Sequence, residues 1–198
     1  MKKLIWFTTL TVLFLVFIMP GLMALTIDMI PASDQPGYSG STRVSIYGER
    51  QFSQKFISRD KNLTAMGTSI KNPNLKNKQE INFNLYDKDK VLIRTAVLNG
   101  FNIGDGDFVK FVFQPVPDSG GKEYSFTLSS PAAGPGEIIE VFIIEPTPDI
   151  IDYFYEEETH PGGIPMVTFH KPNSKLELVK TVYFNWLSRL LSLDSQKI

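Results

Sequence analysis

The sequence predicts a mainly β protein: an antiparallel β-sandwich, entered through an N-terminal transmembrane helix and followed by a short C-terminal amphipathic helix. Three observations carry this. Met1-Lys2-Lys3 leads into an uncharged, apolar run that meets its first charge only at Asp28. Between Gln51 and Ile144, short alternating runs are cut by turn residues roughly every 8–12 positions, the spacing of an all-β sandwich or barrel. From Leu178 onward, apolar residues recur at three- and four-residue steps, as on one face of a helix.

Composition narrows the possibilities. Of 198 residues, Lys+Arg 20 against Asp+Glu 21 give a formal net charge of -1. Nucleic-acid partners select a basic face, so this balance argues against them. The chain has no Cys, which removes disulfides, zinc–thiolate sites, thiol nucleophiles and a lipid-modified cysteine. No internal repeat is visible, which argues against blades and solenoids. After the N-terminus, the rest suffices for one domain of ordinary size.

Residues 1–27 read as a transmembrane or signal-anchor helix. Leu4, Phe7, Leu13, Phe14, Leu15, Phe17 and Ile18 are its expected lipid-facing anchor residues. Roughly 20 apolar residues cross a bilayer core, and this run is long enough. Lys2 and Lys3 should remain cytoplasmic, which puts the remainder outside the cell membrane in a single-pass arrangement. A cleaved signal is the alternative: Pro20-Gly21 could break the helix and Ala24 is small, although Leu22 suits a cleavage site poorly. Residues 28–49 read as a spacer, turn-rich over Asp34–Ser41, with one edge strand at Arg43–Tyr47.

Residues 50–170 hold the expected sandwich. Gln51–Ile57 alternates and breaks at Ser58-Arg59-Asp60-Lys61-Asn62, and Leu63–Ile70 follows. Glu80–Tyr86 places Ile81, Phe83 and Leu85 on one face. With the turn Asp87–Lys90 and the run Val91–Leu98 it predicts a hairpin. Phe108–Phe113 is a strand, and Pro115–Gly121 a strong turn. Lys122–Ser129 puts Tyr124, Phe126 and Leu128 together. Ile138–Ile144 is a continuous apolar run, which suits a strand buried on both faces. Ile164–Phe169 is the last strand expected, after the aromatic and acidic stretch Asp149–Glu158 and the turn Pro161-Gly162-Gly163.

Three passages carry a resemblance: Gln54-Lys55-Phe56 with Asp60-Lys61-Asn62-Leu63, Phe83-x-Leu85-Tyr86-Asp87, and Phe113-Gln114-Pro115-Val116-Pro117-Asp118-Ser119-Gly120-Gly121-Lys122-x-Tyr124-x-Phe126-x-Leu128. The stretch Gln51–Ile144 resembles a jelly-roll module of bacterial membrane and cell-envelope proteins, some of them glycosyltransferase-like. The resemblance implies a galactose-binding-like jelly-roll β-sandwich. It implies no catalytic residues and no cofactor, and likeness to carbohydrate-binding folds does not by itself imply a sugar ligand.

Residues 174–194 read as the amphipathic helix. Ser174 and Glu177 have the spacing of a capping box. Val179, Tyr183, Trp186, Leu187, Leu190 and Leu193 share a face. A strand over Lys175–Phe184 is the competing reading, since Leu176, Leu178, Val182 and Phe184 alternate. The apolar face should cover the sandwich, or else the membrane or a partner.

Motifs for chemistry are sparse. Asp105 and Asp107, in Gly104-Asp105-Gly106-Asp107, are weak calcium candidates, because the EF-hand spacing is missing and a turn explains them. Glu156–Glu158 beside His160 reads as a solvated loop. His160 and His170 sit in no nucleophile motif, so no enzyme activity and no metal are expected. Asn62-Leu63-Thr64 has the form of a glycosylation sequon. Tyr153 and Tyr155, with the loop Asn99–Asp107, are the candidates for stacking on a sugar. Two functions follow as expectations: a structural or interaction module meeting an envelope protein, or a module that binds envelope or extracellular glycans. Membrane lipid, through the N-terminal helix, is the expected partner in both.

Overall fold

The structure is a computed structural model and describes residues 2–33, 35 and 42–192. The chain divides into two compact units, Met1–Ile30 with Lys171–Ile198, and Pro31–His170. The turn expected over Asp34–Ser41 lies outside the described residues, Gln35 excepted, and so does Leu193.

In the first unit, Lys2–Ala24 is one helix, long and apolar enough to cross a membrane, with a mean hydropathy of 2.1. Leu4, Phe7, Leu13, Phe14, Leu15, Phe17 and Ile18 are all exposed on it. Its few hydroxyls are satisfied internally: Thr8, Thr9 and Thr11 donate to the carbonyls of Leu4, Ile5 and Phe7, each at 2.9 Å. Such back-bonding hides polar groups that lipid would not solvate. Pro20-Gly21 does not end the helix, which continues to Ala24. A wider π-type turn at Phe14–Ile18 precedes it, where the Met19 N–H reaches back to the Phe14 carbonyl. Proline removes one N–H and crowds the carbonyl four residues back, and a wide turn is a known way to relieve this.

The second helix, Lys175–Ser192, begins three residues before the expected Leu178 and replaces the competing strand reading. The Glu177 N–H donates to the Ser174 hydroxyl at 3.1 Å, while the Glu177 carboxylate accepts from the Asn173 N–H at 3.2 Å. The capping box thus closes one residue earlier than its usual form. Leu178 packs with Ala24 and Ile30, and Ile27, Val179 and Val182 close around them. The buried side of this helix therefore meets the end of the N-terminal helix. Lys175 Nζ lies 2.9 Å from the Asp28 carboxylate and donates to the Ile27 carbonyl at 3.1 Å. The hydrogen bond from Lys175 to Asp28, together with the Lys175 charge, holds the Asp28 carboxyl below its ordinary pKa.

The second unit is mainly β, with two antiparallel sheets packed face to face. Its strands are β1 Ile30–Pro31, β2 Thr42–Ile46, β3 Phe52–Ile57, β4 Leu63–Lys71, β5 Glu80–Asp87, β6 Leu92–Asn99, β7 Asp107–Val116, β8 Glu123–Ser129, β9 Ile139–Ile143, β10 Ile150–Tyr155, β11 Glu158–Pro161 and β12 Met166–His170. The first sheet runs β12-β4-β9-β2, with β7 paired to β4. Beside it the Ala32 N–H donates to the Thr168 carbonyl at 2.9 Å, extending the β12 edge from the Pro31 end of β1. The second sheet runs β11-β10-β3-β8-β5-β6. The hairpin expected from Glu80–Leu98 is β5–β6. The Asp87 carboxylate accepts from the Asp89 and Val91 N–H groups at 3.0 and 2.9 Å and ties its turn. Two-faced burial in Ile138–Ile144 holds for Val141 and Phe142.

Aromatic rings fill the space between the sheets. Phe83 of β5 stacks on Phe111 and Phe113 of the opposite sheet at 5.1 and 5.7 Å, and on Phe126 beside it at 5.4 Å. Strand β4 is buried along nearly its whole length. Gly67 in its middle is needed there, since a Cβ would run into the ring of Phe108. At the β6 edge, Arg94 bridges the sheets by donating to the carbonyls of Gln114 and Pro115 of β7 at 2.8 and 2.9 Å.

The turns rest on buried polar groups. The Ser119 hydroxyl donates to the Asp60 carbonyl at 2.7 Å and accepts from the Leu63 N–H at 3.0 Å, so Asp60–Leu63 and Asp118–Lys122 brace one another. Asn72 donates to the carbonyls of Asn77 and Gly100 at 2.9 and 3.1 Å, joining two loops. The stretch Asp149–Pro161, read from sequence without a strand, forms the hairpin β10–β11. Its two-residue turn Glu156-Glu157 has positive φ at both positions, 49° and 67°. That backbone twist matches the flanking strands but is normally signalled by Asn-Gly or Asp-Gly, so its sequence cue was missing.

Gln54 of β3 holds the chain leading into β12. Its amide accepts from the Ile164 N–H at 2.6 Å and donates to the Ile164 carbonyl at 3.3 Å, inside the core. Gln54→Leu removes both partners and leaves two buried backbone groups unpaired. It is expected to destabilise the β unit by about 2–4 kcal/mol, read as a lowered urea midpoint by circular dichroism of the full chain in detergent.

Candidate functional site

Alternation on the second sheet fixes two faces. Burial of Phe52, Gln54 and Phe56 on β3, of Tyr124, Phe126 and Leu128 on β8, and of Ile81, Phe83 and Leu85 on β5 turns their neighbours outward. Strand register then aligns those neighbours into rows. One row runs Phe154, Ser53, Thr127, Asn84, Thr95 across β10-β3-β8-β5-β6. The next holds Lys55, Ser125 and Tyr86. The Thr95 hydroxyl donates to the Asn84 side-chain carbonyl at 2.9 Å.

Small residues in the middle and larger ones at the sides make a shallow groove of about 500 Å³. Its lining includes Ser53, Lys55, Ser125, Thr127, Tyr86, Lys90, Asp152, Phe154 and Thr159. Phe154 is 44% exposed at one side. Tyr86, half-buried, stands across the sheet from it. Lys55 and Asp152 form an ion pair at 3.5 Å. Asp152 is the one carboxylate among the lining residues. The surface offers hydroxyls, the ammonium groups of Lys55 and Lys90, the Asp152 carboxylate and the rings of Phe154 and Tyr86 to a ligand.

Of the rings expected from sequence, Tyr153 borders the groove and Tyr155 does not, and neither is exposed. Tyr153 points into the core, 8% exposed, and stacks on Phe52 at 5.4 Å and on His160 at 5.0 Å. Tyr155 is half-buried and donates its hydroxyl to the Ser45 carbonyl at 2.8 Å. Burial pushes both phenols above their ordinary pKa. The period of two that hides Tyr153 and Tyr155 is what presents Phe154. The loop Asn99–Asp107 contributes no residue to the groove lining. The groove residues that sequence reasoning passed over include Ser53, Ser125 and Thr127. Their signal lay in the polar positions of runs read only for their apolar ones.

Asp105 and Asp107 do not converge. Asp105 pairs with Lys71 at 3.6 Å, and the Asp107 carboxylate accepts from the Gly104 N–H. Among the described residues, no group of three or more His, Cys, Asp or Glu could hold a metal ion. Asp107→Ala is expected to cost about 1–2 kcal/mol through the lost turn bond, and millimolar calcium should leave the melting temperature of the parent protein unchanged. A calcium-dependent rise in a thermal melt would reverse this assignment. Compared with protein-family models and with curated proteins, the chain matches none.

Proposed function

We propose that this chain is a single-pass, membrane-anchored, extracytoplasmic jelly-roll β-sandwich of galactose-binding-like fold, and that it binds carbohydrate on the outer face of β10-β3-β8-β5. Lys2 and Lys3 support a cytoplasmic N-terminus by their charge. The observation that carries the ligand class is the groove: a carpet of Ser and Thr side chains between the rings of Phe154 and Tyr86. Sugars present apolar C–H faces edged by hydroxyls, and such a surface complements both.

The alternative, a structural module held by an envelope protein, shares the anchor but asks for an apolar contact surface. The groove sets Ser and Thr hydroxyls, Lys55, Lys90 and Asp152 between aromatic rings, a mixture that favours the sugar. Hydrolysis by paired carboxylates needs a second acid facing the first across the bond. Asp152 has no such companion among the lining residues and pairs with Lys55. Binding without chemistry is the reading these residues support.

A glycan array probed with the full chain in nanodiscs, followed by calorimetry on the best glycan, tests this. Phe154→Ala and Tyr86→Ala are each expected to weaken binding about tenfold, the worth of a stacked ring at a partly exposed site. Phe101→Ala, outside the groove lining, should leave affinity unchanged. Absence of any bound glycan, or equal affinity in all variants, would reject the proposal.

A further inference from the structure

We infer that Lys175–Ser192 is an interfacial helix, lying at the lipid–water boundary with the side of Leu176, Phe184 and Leu187 turned to lipid. The inference rests on reading Lys2–Ala24 as a membrane span. The start of the second helix is fixed at the outer end of that span. Lys175 donates to the Ile27 carbonyl at 3.1 Å and meets Asp28 at 2.9 Å, and Leu178 is buried with Ala24. A helix fixed there, roughly 27 Å long, starts at the level where lipid gives way to water on that reading.

Its surface carries more apolar residues than the N-terminal helix covers. At 3.6 residues per turn, Leu178, Val182 and Val179 form the stripe against Ala24 and Ile27. Tyr183, Leu176, Leu187 and Phe184 follow around the cylinder, on a second stripe beside the first. Leu176 is 66% exposed and Phe184 61% exposed. Glu177, Thr181, Asn185 and Ser188 occupy the remaining side. Lys180 lies within the second stripe, where a long stem can carry its ammonium back to water.

The chemistry of that stripe favours lipid over a protein. Tyr183 packs against Phe184 and Trp186, ring centroids 6.1 and 5.9 Å apart, an aromatic group of the kind enriched at the headgroup level. An apolar stripe interrupted by lysine suits a soft boundary where the charge can rise to water, and suits a dry protein contact poorly.

The absence of Cys allows a direct test. Single variants Phe14→Cys, Phe184→Cys and Asn185→Cys of the full chain are labelled with an NBD dye and placed in lipid nanodiscs, both faces of which are open to reagent. Dithionite reports access from water, and doxyl-labelled phosphatidylcholine reports contact with lipid. The dye at 184 should be quenched by the doxyl lipid and reduced about tenfold more slowly than the dye at 185. Equal reduction at 184 and 185 would place the helix in water. Protection at 184 without doxyl quenching would mean a protein cover instead of lipid. With position 14 quenched by lipid, either result overturns only the interfacial helix. Reduction at position 14 by dithionite would overturn the span, and the interfacial placement with it.

Discussion

The β unit depends on the contact of Phe83 with Phe111, Phe113 and Phe126 across and beside the sheet gap. It sets which side of β5 and β8 faces inward. A slip of one residue would send Phe83 to solvent and Asn84 into the core, exchanging every side chain on the strand. Burial of large rings against such a slip is worth several kcal/mol, on the order of 3–5 per ring lost. The polar rows on the outer face follow from the same constraint. Ser53, Thr127 and Asn84 are aligned because Phe52, Leu128 and Phe83 are aligned beneath them. Site and core are two readings of one register.

Buried polar groups supply what the rings cannot. Apolar packing does not distinguish loop paths well, whereas an unpaired buried amide costs about 1–3 kcal/mol and so selects one path. Gln54 fixes Ile164, and Asn72 fixes the loops at Asn77 and Gly100. Ser119 joins the turn before β4 to the turn before β8. Each ties a strand or loop to a segment distant in sequence through groups that the ladder hydrogen bonds do not reach.

Much of this was legible in sequence wherever the period was clean. Alternation puts Ile81, Phe83 and Leu85 on one face and Tyr124, Phe126 and Leu128 together, and all six are buried. The apolar N-terminal helix was legible from its charge-free length. What failed to show had specific causes. The β10–β11 hairpin turns on Glu156-Glu157, residues that do not advertise positive φ. Chemical type singles out Tyr153 and Tyr155, and type carries no information about facing. Phe154, between them, holds the outward position. The cover of the C-terminal helix was not readable either, because amphipathicity says that a face must be buried but not against what. Ala24 and Ile27, ending a segment that reads as uniformly apolar, gave no sign of receiving it.

Tethering changes what a shallow groove must achieve. An open site with two rings and a polar carpet holds a sugar weakly, because the ligand keeps much of its solvent contact and the side chains lose entropy on binding. A free domain with such a site would be mostly unoccupied. A domain confined to a membrane whose surroundings are dense in glycan meets its ligand at a raised effective concentration, and several copies engaging one polymer raise avidity without any new contact. On the proposed reading, then, the anchor and the groove are coupled through concentration. A weak groove would then suffice wherever an anchor confines it close to its ligand.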